Sequence, residues 1–324
     1  MDGSEPSLLP QFVSQAHENV SLCTLGSETE RLLTCSTKGV AAHIAIGGWG
    51  GGLWFSSNIA TPENRTAFVK TVVDFAEQYN LDGINFEYVF VSSQLTSTEC
   101  ASASWEYPNQ QGIGCNTISV NDTQNLLCFL QELRADPVGA ELTLSATGAV
   151  PFRDALGKPS TDVSGFAEVL DYIAILNYDV WGPWSSSVGP NAPLNDACAA
   201  PTNQFGSAIW AVKEWTTAGM PINKIVLGVP SYGHSFSVPP YDAFVADSKT
   251  ELVAYPKFNA SNQPLSAPNI TGFVDVCGIF EAPAGIFTFK DLVNDGFLAT
   301  EGKPASGIYY RYDNCSQTVE SSHT

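Results

Sequence analysis

Short apolar runs rich in β-branched residues alternate along this chain with stretches in which apolar residues recur every three to four positions. That alternation is the pattern of repeated βα units around a parallel sheet. The runs predict strands at Ala41–Ile46, Asp82–Phe86, Leu142–Thr147, Tyr172–Leu176 and Lys224–Val229. Between them the periodicity predicts helices over Pro62–Tyr79, Asp122–Arg134 and Gln204–Ala218. The first of these carries its own start signal, Thr61 as N-cap and Pro62 at the first helical position. In a barrel built from such units the chemistry sits at the carboxyl ends of the strands. Glycines, aromatics and acids gather there in this chain: Gly47-Gly48-Trp49 after the first strand, Asn177-Tyr178-Asp179 after the fourth and Tyr232-Gly233 after the fifth.

With 324 residues, 44% hydrophobic and 15% charged, the chain can bury a substantial core as one large α/β domain or two smaller ones. A net charge of −19 and a pI near 4.3 argue against nucleic acid or anionic membranes as partners, because phosphates are repelled. An uncharged polysaccharide fits that charge. No apolar run is long enough to span a bilayer, and Met1–Glu5 lacks the basic and apolar regions of a signal peptide. Sequons at Asn64, Asn121, Asn259, Asn269 and Asn314 nevertheless point toward secretion. The eight cysteines contain no CxxC and the four histidines do not cluster, so the expectation is no metal, no organic cofactor, a few disulfides and a buried Cys128.

The most specific text is Asp82-Gly83-Ile84-Asn85-Phe86-Glu87, followed after an interruption by Trp105-Glu106-Tyr107-Pro108. Without Tyr88–Ser104 it reads DGINFEWEYP, which closely resembles the D-G-x-D-x-D-x-E-Y-P signature of glycoside hydrolase family 18 chitinases. Gly47-Gly48, Tyr178-Asp179 and Tyr232 stand where the family has its other strand-end motifs, in the same order. The resemblance runs from Leu9 to Thr318, and QGIGCN and FLQELR are similar to basidiomycete class V chitinases. It implies a (β/α)8 TIM barrel, here incomplete, with strands one, two and eight missing and an insertion between strands seven and eight. On this reading residues 1–324 are a fragment of a single catalytic domain, secreted and monomeric, whose partner is chitin or chitooligosaccharides.

The resemblance also implies roles. Family members cleave β-1,4 links between N-acetylglucosamine units with retention, using the substrate's own acetamido oxygen as nucleophile. Glu106 is then the acid that protonates the leaving oxygen and later deprotonates water. Glu87 stands where the family has the aspartate that orients the acetamido group, and Asp82 matches the first motif aspartate. Asn85 replaces an aspartate that shares a proton with the orienting one, and an asparagine cannot titrate. Tyr178 matches the tyrosine that hydrogen-bonds the acetamido oxygen. Gly47, Gly48, Trp105, Tyr107 and Asp179 are expected to line the substrate, with Trp49, Trp181 and Tyr232 stacking on sugar rings. Trp184, Trp210 and Trp215 are expected to be core or rim.

The interruption has a codon-level signature. Glu87-Tyr88-Val89 can be encoded with a fungal splice donor, Leu95-Thr96 with a branch point, and Ser104 with an acceptor, over a length that preserves the reading frame. The same signals fit Val20–Lys38, whose removal joins Ala16-His17-Glu18-Asn19 to Gly39-Val40 and runs a helix directly into a strand. Residues 20–38 and 88–104 are therefore read as non-native insertions from retained introns, and 319–324 as an aberrant tail. A chitinase-like hydrolase, inactive as written, is the leading expectation; a chitin-binding lectin of the same fold and a nonfunctional transcript product are the alternatives.

Overall fold

Ile84, Phe86, Leu144, Ala146, Ile173 and Ile175 are alternate residues of three adjacent strands, and none exposes any surface. They form the side of a parallel sheet that carries the helices. The structure is a computed structural model that describes residues 7–18, 20–25, 33–87, 119–152, 158–265, 272–274, 278, 280–281, 283 and 285–322. Its elements begin with helix α1 (Leu8–His17), the hairpin β1 (Val20–Leu25) and β2 (Leu33–Lys38), strand β3 (His43–Gly47), two short helical turns α2 (Gly48–Gly51) and α3 (Phe55–Ile59), and helix α4 (Pro62–Tyr79). Strand β4 (Gly83–Glu87), α5 (Asp122–Ala135), α6 (Pro137–Glu141), β5 (Thr143–Thr147), α7 (Ser164–Val169), β6 (Tyr172–Ile175), α8 (Ala208–Thr217) and β7 (Ile225–Leu227) follow.

Strands β3 to β7 pair in sequence order, every pair parallel. All five predicted strands are present, with ends within two residues of the expectation. Helix α4 has the predicted bounds because its cap is local: Thr61 accepts the Asn64 N–H at 3.2 Å, Pro62 opens the helix, and Asn80 closes it in the left-handed region at φ 50°. Helix α8 starts later than expected because Ser207 takes the cap, accepting the Trp210 N–H. Val69, Val72, Val73 and Ala76 of α4 and Leu126, Phe129, Leu130 and Leu133 of α5 cover the apolar face of the sheet. Phe129 ties the layers, stacking on Phe68 at 4.8 Å and meeting Phe86 edge-on at 5.4 Å.

The resemblance implies an incomplete TIM barrel, and the parallel sheet of the described residues agrees with that in part. They form an open five-stranded sheet with β3 and β7 at its edges, not a closed ring. After β7 the chain builds small antiparallel pieces. These are β8 (Tyr232–His234), α9 (Pro240–Ala243), β9 (Phe273–Val274), β10 (Phe280–Glu281), β11 (Ile286–Thr288), α10 (Phe289–Asn294), β12 (Tyr309–Asp313) and β13 (Thr318–Ser322). Strand β8 pairs with β11, β9 with β10, and β12 with β13. A disulfide between Cys198 and Cys315 ties the region behind β6 to the β12–β13 turn. Cys128 is half-buried and unbonded to another cysteine, not sealed in the core as expected.

Within residues 20–38 the described strands β1 and β2 pair antiparallel, with Val20 opposite Lys38 and Leu25 opposite Leu33. The two ends of this excursion meet: the Val40 N–H donates to Ala16 O at 2.7 Å. Segment 88–104 lies outside the described residues. Of the segment 319–324, residues up to Ser322 pair with β12, Val319 facing Tyr312 and Glu320 facing Arg311.

Candidate functional site

Because strand side chains alternate, the face of β4 opposite the buried Ile84 and Phe86 carries Asn85 and Glu87. Glu87 ends the strand directly across from Gly47 of β3. Gly47 has φ 107°, and a Cβ there would collide with the Glu87 carbonyl oxygen. Gly48 has φ 79° and a Cβ on it would sit 3.5 Å from Glu87 Oε2. Gly47 therefore lets the two backbones close up, and Gly48 lies within ordinary contact range of the carboxyl group. Burial pushes the Glu87 pKa above the usual carboxylate range. Asn85 donates from Nδ2 to Ser145 Oγ at 2.8 Å, and Ser145 on β5 is fully buried.

A second group assembles at the ends of β6 and β8. Asp179 adopts the left-handed region at φ 55°, uncommon for a residue with a side chain. Its N–H donates to Asn191 Oδ1 at 2.7 Å, and Asn191 Nδ2 donates to Tyr232 O at 3.0 Å. Tyr232 closes the ring by donating its hydroxyl to Asp179 Oδ1 at 2.6 Å. His234 Nε2, two residues along β8 on the same face, reaches the same oxygen at 2.7 Å. Burial and the neighbouring Asp179 carboxylate raise the Tyr232 pKa far above the usual phenol range, so this hydroxyl stays a donor. The Tyr178 ring meets the Tyr232 ring edge-on at 6.3 Å. Beside the network lies a cavity of about 860 Å³ lined by Asn191, Tyr232, His234, Phe236, Phe287 and Glu320 among others.

The expected site residues divide accordingly. Gly47, Gly48, Asn85 and Glu87 share one strand-end cluster, while Tyr178, Asp179 and Tyr232 share the other. Trp49 lies in the α2 turn immediately after Gly48. Trp105, Glu106 and Tyr107 lie outside the described residues. Two expectations need correction. Asp82 precedes β4 at the opposite end from Glu87 and has the parity of Ile84 and Phe86, so it belongs to the other face. Its Oδ2 accepts the Ala42 N–H at 2.6 Å and His17 Nε2–H at 2.7 Å. Partial burial alone would raise its pKa; these two donors outweigh that and lower it, marking a structural tie between α1 and β4. Trp181 is 1% exposed, enclosed by Phe205 at 4.6 Å and Tyr255 at 5.3 Å and pressed against Gly189, so it offers no face to a sugar.

Sequence reasoning missed Asn191, His234 and Ser145. The i, i+2 spacing from Tyr232 could have flagged His234; nothing local marks Asn191. Of the tryptophans given no role, Trp215 is buried, whereas Trp184 packs edge-on to His234 at 5.2 Å and Trp210 lines a cavity of about 110 Å³ with Tyr178. Among the described residues no group of three or more His, Cys, Asp or Glu could hold a metal ion, and no helix is long and apolar enough to cross a membrane.

The family model for glycosyl hydrolases family 18 matches residues 13–319. A chitinase-like effector of Moniliophthora roreri is 48% identical over 320 residues, covering 98% of this chain and 69% of that protein. A second, from Moniliophthora perniciosa, is 46% identical over 321 residues, covering 98% of this chain and 64% of that protein. The chain thus spans about two thirds of the length of these relatives. Among solved structures, a chitinase from Rhizomucor miehei is similar with a TM-score of 0.76 at 25% identity, over 98% of this chain and 74% of that one. With a match along nearly its whole length and the acid-bearing strand ending beside paired glycines, the chain belongs to glycosyl hydrolase family 18.

Proposed function

We propose that this protein receives chitooligosaccharides at the carboxyl ends of β3 to β7, beside Tyr232 of β8, and, as translated, binds them without hydrolysing them. Asn85 carries the reading. It stands beside Glu87 on the face of β4 turned away from the helices, where substrate-assisted hydrolysis calls for a titrating carboxyl beside the orienting one, and it donates to Ser145 instead. An amide cannot pass a proton to its neighbour, so Glu87 lacks the partner that would tune it. Glu106, the acid of the W-E-Y-P motif, is separated from Glu87 by the whole of segment 88–104. The chemistry left to Tyr178, Asp179 and Tyr232 is recognition: a hydroxyl donor and a fixed carboxylate suited to the amide and hydroxyl groups of N-acetylglucosamine. That the relatives are called chitinase-like effectors agrees with retained recognition. The Cys198–Cys315 disulfide and the sequons suit an extracellular protein. We take it to be monomeric, with no nucleic acid or membrane partner and no cofactor.

The test is calorimetric titration of the chain with soluble chitin oligomers, with released reducing ends measured in the same mixture. Binding without release is expected. Release of sugar by this chain overturns the non-hydrolytic part, and absence of binding overturns the reading altogether. A second reading, an active chitinase, applies to a chain lacking 88–104, in which Trp105-Glu106 follows the β4 strand directly. Hydrolysis by that deletion variant, abolished by Glu106→Gln, would establish it.

A further inference from the structure

Six N-x-S/T sequons lie along the chain, at Asn19, Asn64, Asn121, Asn259, Asn269 and Asn314. Asn19 and Asn269 fall outside the described residues. The other four differ in what the fold leaves open. Asn64 sits in the first turn of α4, and its Nδ2, the atom a glycan would occupy, donates to Ser57 O at 2.8 Å. Asn121 is followed by Asp122, which is 2% exposed and accepts Ser56 Oγ–H at 2.8 Å and the Ser119 N–H at 2.6 Å, so the centre of that sequon is anchored in the protein. Asn314 is followed by the disulfide-bonded Cys315 and by Ser316, whose buried hydroxyl donates to Asp313 Oδ2 at 2.6 Å.

Asn259 is different on every count. Asn259, Ala260 and Ser261 are all exposed. The Asn259 Oδ1 accepts the Ser261 N–H at 3.0 Å, folding the tripeptide back on itself and turning Nδ2 away from the backbone. No described residue accepts from that Nδ2. An N–H on the amide oxygen acidifies the amide nitrogen, one of whose protons must leave when a sugar is transferred. The turn is held from behind, since the Asn259 N–H donates to Ser237 O at 2.8 Å, and Ser237 lines the large cavity beside Tyr232.

We infer that Asn259 is the principal N-glycosylation site of this protein, an inference that rests on the extracellular reading above. The donor is an oligosaccharide on a polyprenyl diphosphate. Asn259 Nδ2 bonds to the anomeric carbon, the bond from that carbon to the diphosphate oxygen breaks, the diphosphate leaves with the electron pair, and the amide loses one proton. No oxidation change is involved. The product places a glycan on the rim of the cavity, outside both strand-end clusters.

The experiment expresses the full chain behind a cleavable secretory leader in yeast, then removes glycans with a peptide N-glycosidase in heavy-oxygen water and maps the peptides. Heavy label at residue 259 in most molecules, with residue 314 unlabelled, is the expected result. Asn259→Gln and Ser261→Ala should each remove the same single mobility step on a denaturing gel. Label at other sequons with residue 259 empty overturns the site choice, and no label anywhere overturns the inference as a whole. The forced leader keeps this separate from the secretion reading, which fails if antibody finds the native protein in cells and not in the culture fluid.

Discussion

Glu87 carries two opposed demands at the scale of one residue. It ends its strand as a carboxyl that ionises in water, yet burial favours its protonated form. A carboxyl whose folded pKa lies above its unfolded one binds more protons in the native state, so stability falls as pH rises from the ordinary glutamate range through the folded value. Glu87→Gln removes this penalty. The variant should melt higher than the parent near neutral pH, with the difference vanishing below about pH 4, where the parent's glutamate is protonated in both states. Equal melting temperatures at every pH would refute it. Tyr232→Phe removes one donor on Asp179 Oδ1 and leaves His234 in place. Denaturant unfolding should show a loss of about 1.5 kcal/mol, the lower end for a hydrogen bond to a charged group. At this scale the sequence held more than was read from it. Asp82 is three residues from Asn85, an odd spacing that alternation alone assigns to the opposite face. The burial of Trp181 had no such signal, since Phe205 and Tyr255 reach it from distant parts of the chain.

Elements were legible where their causes are local. Thr61 and Pro62 start α4, and the β-branched runs mark five strands whose parallel order follows from the helical connections between them. The short strands after β7 have no comparable signature: β8 spans three residues and owes its existence to β11, more than fifty residues on, so pairing creates the strand. The β1–β2 hairpin is instructive in the other direction. Codon-level reading marked it as removable, and the contact between Val40 and Ala16 shows that the chain leaves and re-enters the fold at one point. Deleting Val20–Lys38 should then leave the α1–β3 junction intact. Because the closure entropy of a loop grows only slowly with its length, its removal changes stability little. The expected result is a cooperative melt within about 2 °C of the parent, the size of a sub-kcal change in a protein this large. Loss of cooperativity would mean that the hairpin is part of the domain.

The whole molecule is held across its length by covalent as well as packing forces. The Cys198–Cys315 bond closes a loop with a sequence separation of 117. Long loops of that kind are worth about 2–5 kcal/mol, so Cys198→Ala should lower the denaturant midpoint accordingly, with the β12–β13 hairpin as the part most easily released. The open sheet poses a larger problem. Strand β7 has β6 on one side and no strand on the other among the described residues, and Val226, Leu227 and Val229 are 50%, 38% and 80% exposed. An edge of this kind is a template for another copy of itself. The countervailing force is the net charge of −19, which makes copies repel. That repulsion is screened by salt, its range falling from about 8 Å at physiological ionic strength to about 3 Å at 1 M, whereas strand pairing and apolar contact are not weakened. Light scattering should therefore report monomers at low salt and growing particles at high salt, the reverse of an association driven by charge attraction. Val226→Lys places a charge on the edge itself and should suppress the growth at equal net screening. If the variant associates as readily as the parent, β7 is not the surface through which copies meet.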